Sequence, residues 1–355
     1  MISSPGARST AAASLAVLAL FAAACTSDSA KKASATSSVP VTSSSVPATT
    51  AAPAKPAPKN PFTGVGPVPR NPVIAVKIDD TEPGRPQVAI DQADIVYIEA
   101  VEGGLTRLAA VFATHMPKKV GYVRSTRPSD PDLLLQYGKI TEAYSGGAHD
   151  SLPRVRKSGI TSWSNDAGAA YYFRAPHAGD HGYINLALNL AQVAKRTKTN
   201  RPRSNGWTFS PSLAGLTTQV GTNLRTVVTG SNRGGTSVQF KWNPKIKKYV
   251  RYIDGVAQHA ADGSLVSATN VIVQFCRVVA HPADTDVNGN PSQFTYTVGK
   301  GKVAVFRQAR RVDGTWSRPT ASAGTALLTA AGKPLPLNPG NTWVVLATRG
   351  APLQG

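Results

Sequence analysis

The sequence predicts an α+β protein, with a layered mixed α/β N-terminal domain followed by a mainly antiparallel β C-terminal domain. Three observations carry this expectation. After residue 205, runs rich in Val, Thr, Phe and Tyr (TVVTG, SVQFKW, KYVRYIDG, NVIVQF, FTYTVG, KVAVFR, TWVVLAT) recur every ten residues or so, roughly the rhythm of antiparallel strands joined by turns. Before that point, β-like runs are interleaved with segments of helical spacing. Residues 26–61 have no aromatic and no periodic apolar face, so the folded part is expected to lie beyond them.

That leading stretch reads as an address and a stalk. Arg8 precedes Ala11–Ala24, an apolar run too short to span a bilayer as a helix but suited to a secretory signal peptide. It ends in Ala22-Ala23-Ala24-Cys25, which resembles a bacterial lipobox with Cys25 as the acylated residue; Ala22 stands where a larger aliphatic is usual. Residues 1–24 are thus expected to be the signal peptide. Residues 25–64, dominated by Ser, Thr, Ala and Pro, are expected to be a disordered stalk. The expected location is the extracytoplasmic face of a bacterial membrane, with two or more acyl chains on Cys25 giving a stable anchor. Beyond Cys25 there is only Cys276, in the apolar run NVIVQFCRVV, where a cysteine is a small core residue.

Charge is unevenly distributed. The chain carries 39 Lys and Arg against 19 Asp and Glu, a formal +20, and residues 181–355 hold 21 basic and 5 acidic side chains. Such a field favours polyanions, here wall polymers or anionic lipid headgroups. An exported protein has little access to nucleic acid, so no nucleic-acid partner is expected. The sequence leaves the oligomeric state open.

Within residues 65–204, NPVIAVKID is a strand, followed by the turn-rich loop from Asp79 to Pro86. Ala93–Val101 and Leu105–Ala113 form a hairpin about Gly103-Gly104. Val120–Arg124 is a short strand, and Ser129 caps a helix with Pro131 in its first turn. Ile140–Ser145 returns as a strand, Asp150–Ser158 forms a short helix, and Ala169–Arg174 is strand-like. Tyr183–Lys198 has apolar residues at helical spacing and a basic last turn, which predicts a helix. Residues 205–355 then supply the β-rich domain.

At this point several motifs resemble a known family. ADIVYIEAVEGGLTRLAAVF, GYVRSTRPSD and YYFRAPH are similar to the N-terminal domain of the YerB-like lipoproteins, the DUF3048 family. KWNPKIKKYVRYIDGVAQH, NVIVQF, VDGTWSR and PGNTWVVL are similar to its C-terminal domain. The resemblance implies a bacterial lipoprotein with an α/β and a β-rich domain, and no particular activity. The motif positions it carries over are Glu102, Gly103, Gly104, Thr106, Arg107, Gly121, Arg124, Ser125, Arg127, Arg174, Pro176 and His177. Two departures stand out: Tyr122 replaces the usual Pro, and Asp284–Lys302 lacks the pattern expected before a glycine-rich turn, which withholds any C-terminal contribution to a site.

The candidate ligand-binding residues are therefore Arg107, Arg124, Ser125, Arg127, Arg174 and His177. Guanidinium forks bind carboxylate or phosphate bidentately, so converging arginines suit an anionic ligand. The alternative is internal pairing with Asp79, Asp80, Glu99 and Glu102, since buried charges require partners. A second reading takes Glu102, His149 or His177 as acid–base groups of a hydrolase or transferase acting on envelope material. His149-Asp150 and His177-x-x-Asp180-His181 carry no metalloenzyme signature, and no Walker, G-x-G-x-x-G or G-x-S-x-G motif occurs. No metal and no cofactor are expected.

Overall fold

The computed structural model describes residues 59–176, 184–229 and 235–355. Cys25 and the rest of the expected signal peptide and stalk up to residue 58 lie outside the described residues, as do His177, Asp180 and His181. The first part of the described chain forms β1 (Ile74–Asp79), β2 (Ile95–Ala100), β3 (Thr106–Phe112), β4 (Val120–Gly121), α1 (Asp130–Leu134) and β5 (Thr141–Tyr144). It continues with α2 (Ser151–Ser158), β6 (Thr161–Ser164), β7 (Tyr172–Arg174), β8 (Leu186–Leu188) and α3 (Leu190–Arg196).

Every described element beyond residue 205 is a strand. These are β9 (Gln219–Val220), β10 (Asn223–Thr229), β11 (Gly235–Asn243), β12 (Lys248–Ile253), β13 (Val256–Ala257) and β14 (Ser267–Ala268). The long β15 (Asn270–Thr285) follows, with β16 (Pro291–Tyr296), β17 (Gly299–Arg307), β18 (Arg310–Arg318), β19 (Ala326–Thr329), β20 (Thr342–Thr348) and β21 (Leu353–Gln354). The protein is mainly β, with three short α-helices among the described residues.

One twelve-stranded sheet runs through both halves of the chain, ten strands in the order β19-β18-β17-β15-β20-β2-β3-β1-β5-β6, with β16 paired to β15 and β9 to β18 beside that path. The join is β20. It pairs in parallel with β2 (Thr342 opposite Ile95) and with β15 (Thr342 opposite Asn270), so a strand near the end of the chain sits between the two halves. A second sheet has the order β13-β12-β11-β10-β21, and a third, β4-β8-β7, is small.

Both faces of the large sheet are covered, which explains why its strands read as unbroken apolar runs rather than alternating ones. On one face Ile74, Val76, Ile98, Leu108 and Phe112 pack with Leu224, Phe240 and Tyr249 of the second sheet and with Leu188 and Val193. On the other, Ala75, Tyr97, Ala109 and Val111 pack with Leu133, Leu134 and Tyr137 at α1 and the turn after it. Cys276 is fully buried on this second face, and burial pushes its thiol up to about 12, as suits a core residue.

Two local expectations are corrected. The helix expected over Tyr183–Lys198 is instead a strand, β8, lying between β4 and β7, followed by the seven-residue α3. Asn189 separates them, its side chain accepting from the Gln192 amide. Ser129 sits at the start of α1 but its side chain makes no capping bond. The buried Asp130 carboxylate instead accepts from the Arg127 amide at 2.6 Å and the Thr126 hydroxyl at 3.0 Å.

Candidate functional site

Strands β1, β2 and β5 run in the same direction, with β3 antiparallel between β1 and β2, so three carboxyl ends gather along one edge of the sheet. Side chains alternate between faces, which places Lys77, Asp79, Glu99, Arg107 and Glu142 on the face that carries Ala75, Tyr97 and Ala109 deeper in. The register puts Arg107 directly opposite both Asp79 and Glu99. A polar layer thus continues the apolar layer towards the edge.

Most charges in this layer are paired. Lys77, fully buried, contacts Glu99 and donates to Asp130 at 2.9 Å. Arg127 grips Glu102 through Nη2 at 2.5 Å and Nε at 3.1 Å, and its Nη1 donates to the Thr126 carbonyl. Arg124, one-third exposed, approaches Asp79 through Nε at 3.0 Å. Asp80 faces the opposite way and pairs with Arg251 of β12 at 2.8 Å. The four acids named from the sequence therefore all have cationic partners.

Arg107 is the exception. It is 5% exposed, yet among the described residues its Nε and Nη1 have no hydrogen-bond partner. Burial and the nearby Arg127 charge pull its guanidinium down to about 9, with Asp79 pulling the other way and Arg124 adding to the depression. Beside it, the ion pair of Arg124 uses Nε, and among the described residues no hydrogen bond engages its Nη atoms. Ser125 stands next in the chain, its hydroxyl 3.3 Å from that of Ser145 at the end of β5.

Local sequence explains why these groups meet. After β2 the chain makes one 3-10 turn, Glu102–Gly104, in which Gly103 (φ +64°) and Gly104 (φ +76°) take left-handed conformations that L side chains resist. That reversal sets Glu102 over the end of the sheet. The segment Val123–Thr126 then crosses the ends of β1 and β5, with the Arg124 amide donating to the Lys77 carbonyl and the Thr126 amide to the Gly146 carbonyl. A Cβ on Gly147 would lie 2.9 Å from the Thr126 methyl, so the diglycine after β5 lets this crossing pack closely.

Two carboxyl groups behave in opposite ways. Burial favours protonation of Glu102, but the Arg127 charge and hydrogen bonds from Ser292 and Arg127 outweigh it and hold the carboxyl below its ordinary range. It stays ionised at neutral pH, which is the wrong state for a general acid. Glu142 is pushed up to about 8 by burial and by the Asp130 charge, and its Oε1 lies 2.7 Å from the Thr126 hydroxyl. Burial likewise lowers Lys77, against the pull of Asp130.

The C-terminal half contributes after all. β15 outruns β20, and its last residues pair only with β16, forming a ribbon that reaches the carboxyl ends. From this ribbon Ser292 donates to Glu102 Oε1 at 2.5 Å, and Asp284, fully buried, accepts from Ser151 and Ser292. His281 meets Asp150 at 2.7 Å. Sequence reasoning missed Lys77, Asp130, Glu142, Asp284, His281 and Ser292. The one available signal was Lys77 itself, the lone cation in the apolar run VIAVKID, which burial obliges to find a partner.

Other expected site residues stand apart. Arg174 is exposed on β7 and donates to Asn185 at 3.3 Å. His149 is exposed, and Asp150 pairs with His281 instead. Among the described residues no three of His, Cys, Asp and Glu are placed to hold a metal ion.

Comparison with known proteins matches this organisation. Residues 62–203 match the N-terminal domain, and residues 226–344 the C-terminal domain, of the family described as "Protein of unknown function (DUF3048)". The chain belongs to the DUF3048 family. Within reach of this family is YerB of Bacillus subtilis (strain 168), a protein named as a lipoprotein, which is 28% identical over 281 residues, 76% of this chain and 80% of YerB. The crystal structure of the B. subtilis YerB protein superposes with a TM-score of 0.67 at 21% identity, covering 84% of this chain and 99% of that one, so the fold is shared. The N-terminal DUF3048 match holds Glu102, Arg107, Arg124 and Arg127; the C-terminal match holds Asp284 and Ser292. The polar layer is therefore assembled from both. Tyr122, at the position where the family resemblance leads one to expect proline, follows a cis peptide bond.

Proposed function

We propose that this chain is an envelope lipoprotein, anchored through acylated Cys25 on the extracytoplasmic face of the membrane, whose arginine cluster binds an anionic ligand or wall polymer. In this reading residues 65–204 are the layered α/β domain that builds the site. The basic β-rich residues 205–355 close it and add attraction for anionic polymer or headgroups. The lipobox-like run at Cys25, the stalk composition and the lipoprotein name of the B. subtilis relative support the anchor. Among the described residues no helix is long and apolar enough to cross a membrane.

The observation that carries the binding reading is Arg107. A guanidinium that is buried with two nitrogens unsatisfied is costly, and hydrogen bonds to charged groups contribute about 1.5–3 kcal/mol each, so an oxyanion entering here is strongly favoured. Arg124 and Ser125 supply the outer contacts. Arg127, committed to Glu102, holds the frame.

Retention on isolated wall fractions tests this. Binding is expected to weaken with salt and to fall several-fold in Arg107→Met and Arg124→Gln. Retention indifferent to both salt and substitution would remove the cluster from consideration.

A further inference from the structure

A second feature lies where β15, β17 and β18 meet the last turn of the chain. A groove of about 810 Å3 opens there, lined mostly by apolar surface, and none of the arginine-cluster residues takes part. Its size falls in the range of roughly 300–1,000 Å3 typical of small-molecule sites. Phe275, Ala351 and Leu353 form its apolar lining; all three are half-buried and pack against the main core, so the groove is a place where the core reaches solvent.

The rim is cationic. Lys302, Arg311 and Arg349 line it against a single acid, Asp313. Asp313 is already occupied, accepting from Arg311 Nε at 2.8 Å and from Gln219 at 3.1 Å. Lys302 and Arg349 are exposed, and among the described residues neither makes an ion pair. Among the described residues the Arg349 side chain donates only to the Lys300 carbonyl, at 3.3 Å, which keeps a second lysine close by. An apolar trough with two uncompensated cations at its mouth matches a molecule with one apolar tail and an anionic head. A flat polyanion would use the cations but leave the trough wet, and a neutral apolar ligand would leave the cations unanswered.

We infer that this groove binds a single-chain lipid phosphate, the tail lying along Phe275, Ala351 and Leu353 and the phosphate meeting Lys302 and Arg349. The occupant is a lipid monomer taken from solution or from the membrane surface, and its site is distinct from the arginine cluster.

The test uses the full chain carrying Cys25→Ser, which cannot be acylated there, titrated with lysophosphatidic acid below its critical micelle concentration. Saturable binding is expected, weakened about tenfold or more by Lys302→Glu plus Arg349→Glu, a loss of at least ~1.4 kcal/mol. Leu353→Glu, which places a carboxylate in the trough, is expected to weaken binding similarly. A monoacylglycerol of the same chain length should bind about tenfold more weakly, the phosphate contact being absent. Arg107→Met should leave lipid binding unchanged, which separates this site from the cluster. Far-ultraviolet dichroism and the unfolding midpoint verify that each variant is folded. No saturable binding, equal binding of the neutral lipid, or equal binding of glycerol phosphate without a tail would each overturn the assignment.

Discussion

Lys77 and Arg107 are both cations buried on one face of the same sheet, yet they stand in different situations. Lys77 lies between Glu99 and Asp130, and removing it strands two buried carboxylates. Lys77→Met is therefore expected to cost roughly 3–5 kcal/mol in urea unfolding. Arg107 has unsatisfied nitrogens and mixed neighbours, so Arg107→Met is expected to change stability by no more than about 1 kcal/mol. Equal losses for the two would show that Arg107 is a structural ion-pair member and not a poised binding group.

Glu142 makes a pH prediction at the same scale. Its carboxyl is raised from the ordinary 4.5 to about 8, so between those values the folded chain holds a proton the unfolded chain has released. Its contribution is fully present below pH 4.5 and is lost as pH rises towards 8. Glu142→Gln keeps a neutral group there and should flatten that decline. A variant whose unfolding midpoint tracks the native pH profile in parallel would contradict the protonated state.

The β15–β16 ribbon is the element that brings the C-terminal half to the site, and Asp284 ties it down through Ser151 and Ser292. Asp284→Ala is expected to raise hydrogen exchange in the ribbon and at the start of α2 together, while the core pairing of β17 with β18 keeps its protection. Exchange rising across all of these strands would mean that the ribbon is no separate unit. The strands were legible in the sequence because they are Val- and Phe-rich runs bounded by turns, as at Asp254-Gly255, both at positive φ, between β12 and β13. Leu186–Leu188 was not legible. Its apolar residues fit helical spacing equally well, and only the presence of β4 and β7 on either side makes a strand the better choice. The site was half legible: Glu102, Arg107, Arg124 and Arg127 lie close in sequence, whereas Ser292 is 190 residues from Glu102 and nothing local announces the contact.

At the scale of the molecule, the large sheet makes the two family segments interdependent. With β20 paired to both β2 and β15, neither segment can open without exposing strand edges of the other. Calorimetry is expected to give one cooperative transition for the folded region, with calorimetric and van't Hoff enthalpies equal. Two resolved transitions would show that the segments fold as independent units. The uneven charge acts at this scale too, since residues 181–355 carry a net +16 and include the ribbon that meets the arginine layer. Long-range attraction of anions by this net charge would add to the short-range demand of Arg107. The most direct test of that claim is a calorimetric titration of the full chain with inorganic phosphate at low ionic strength, comparing the natural sequence with Arg107→Met. Saturable single-site binding is expected, weakened about tenfold or more by Arg107→Met. Absence of binding, or identical binding by the variant, would contradict it.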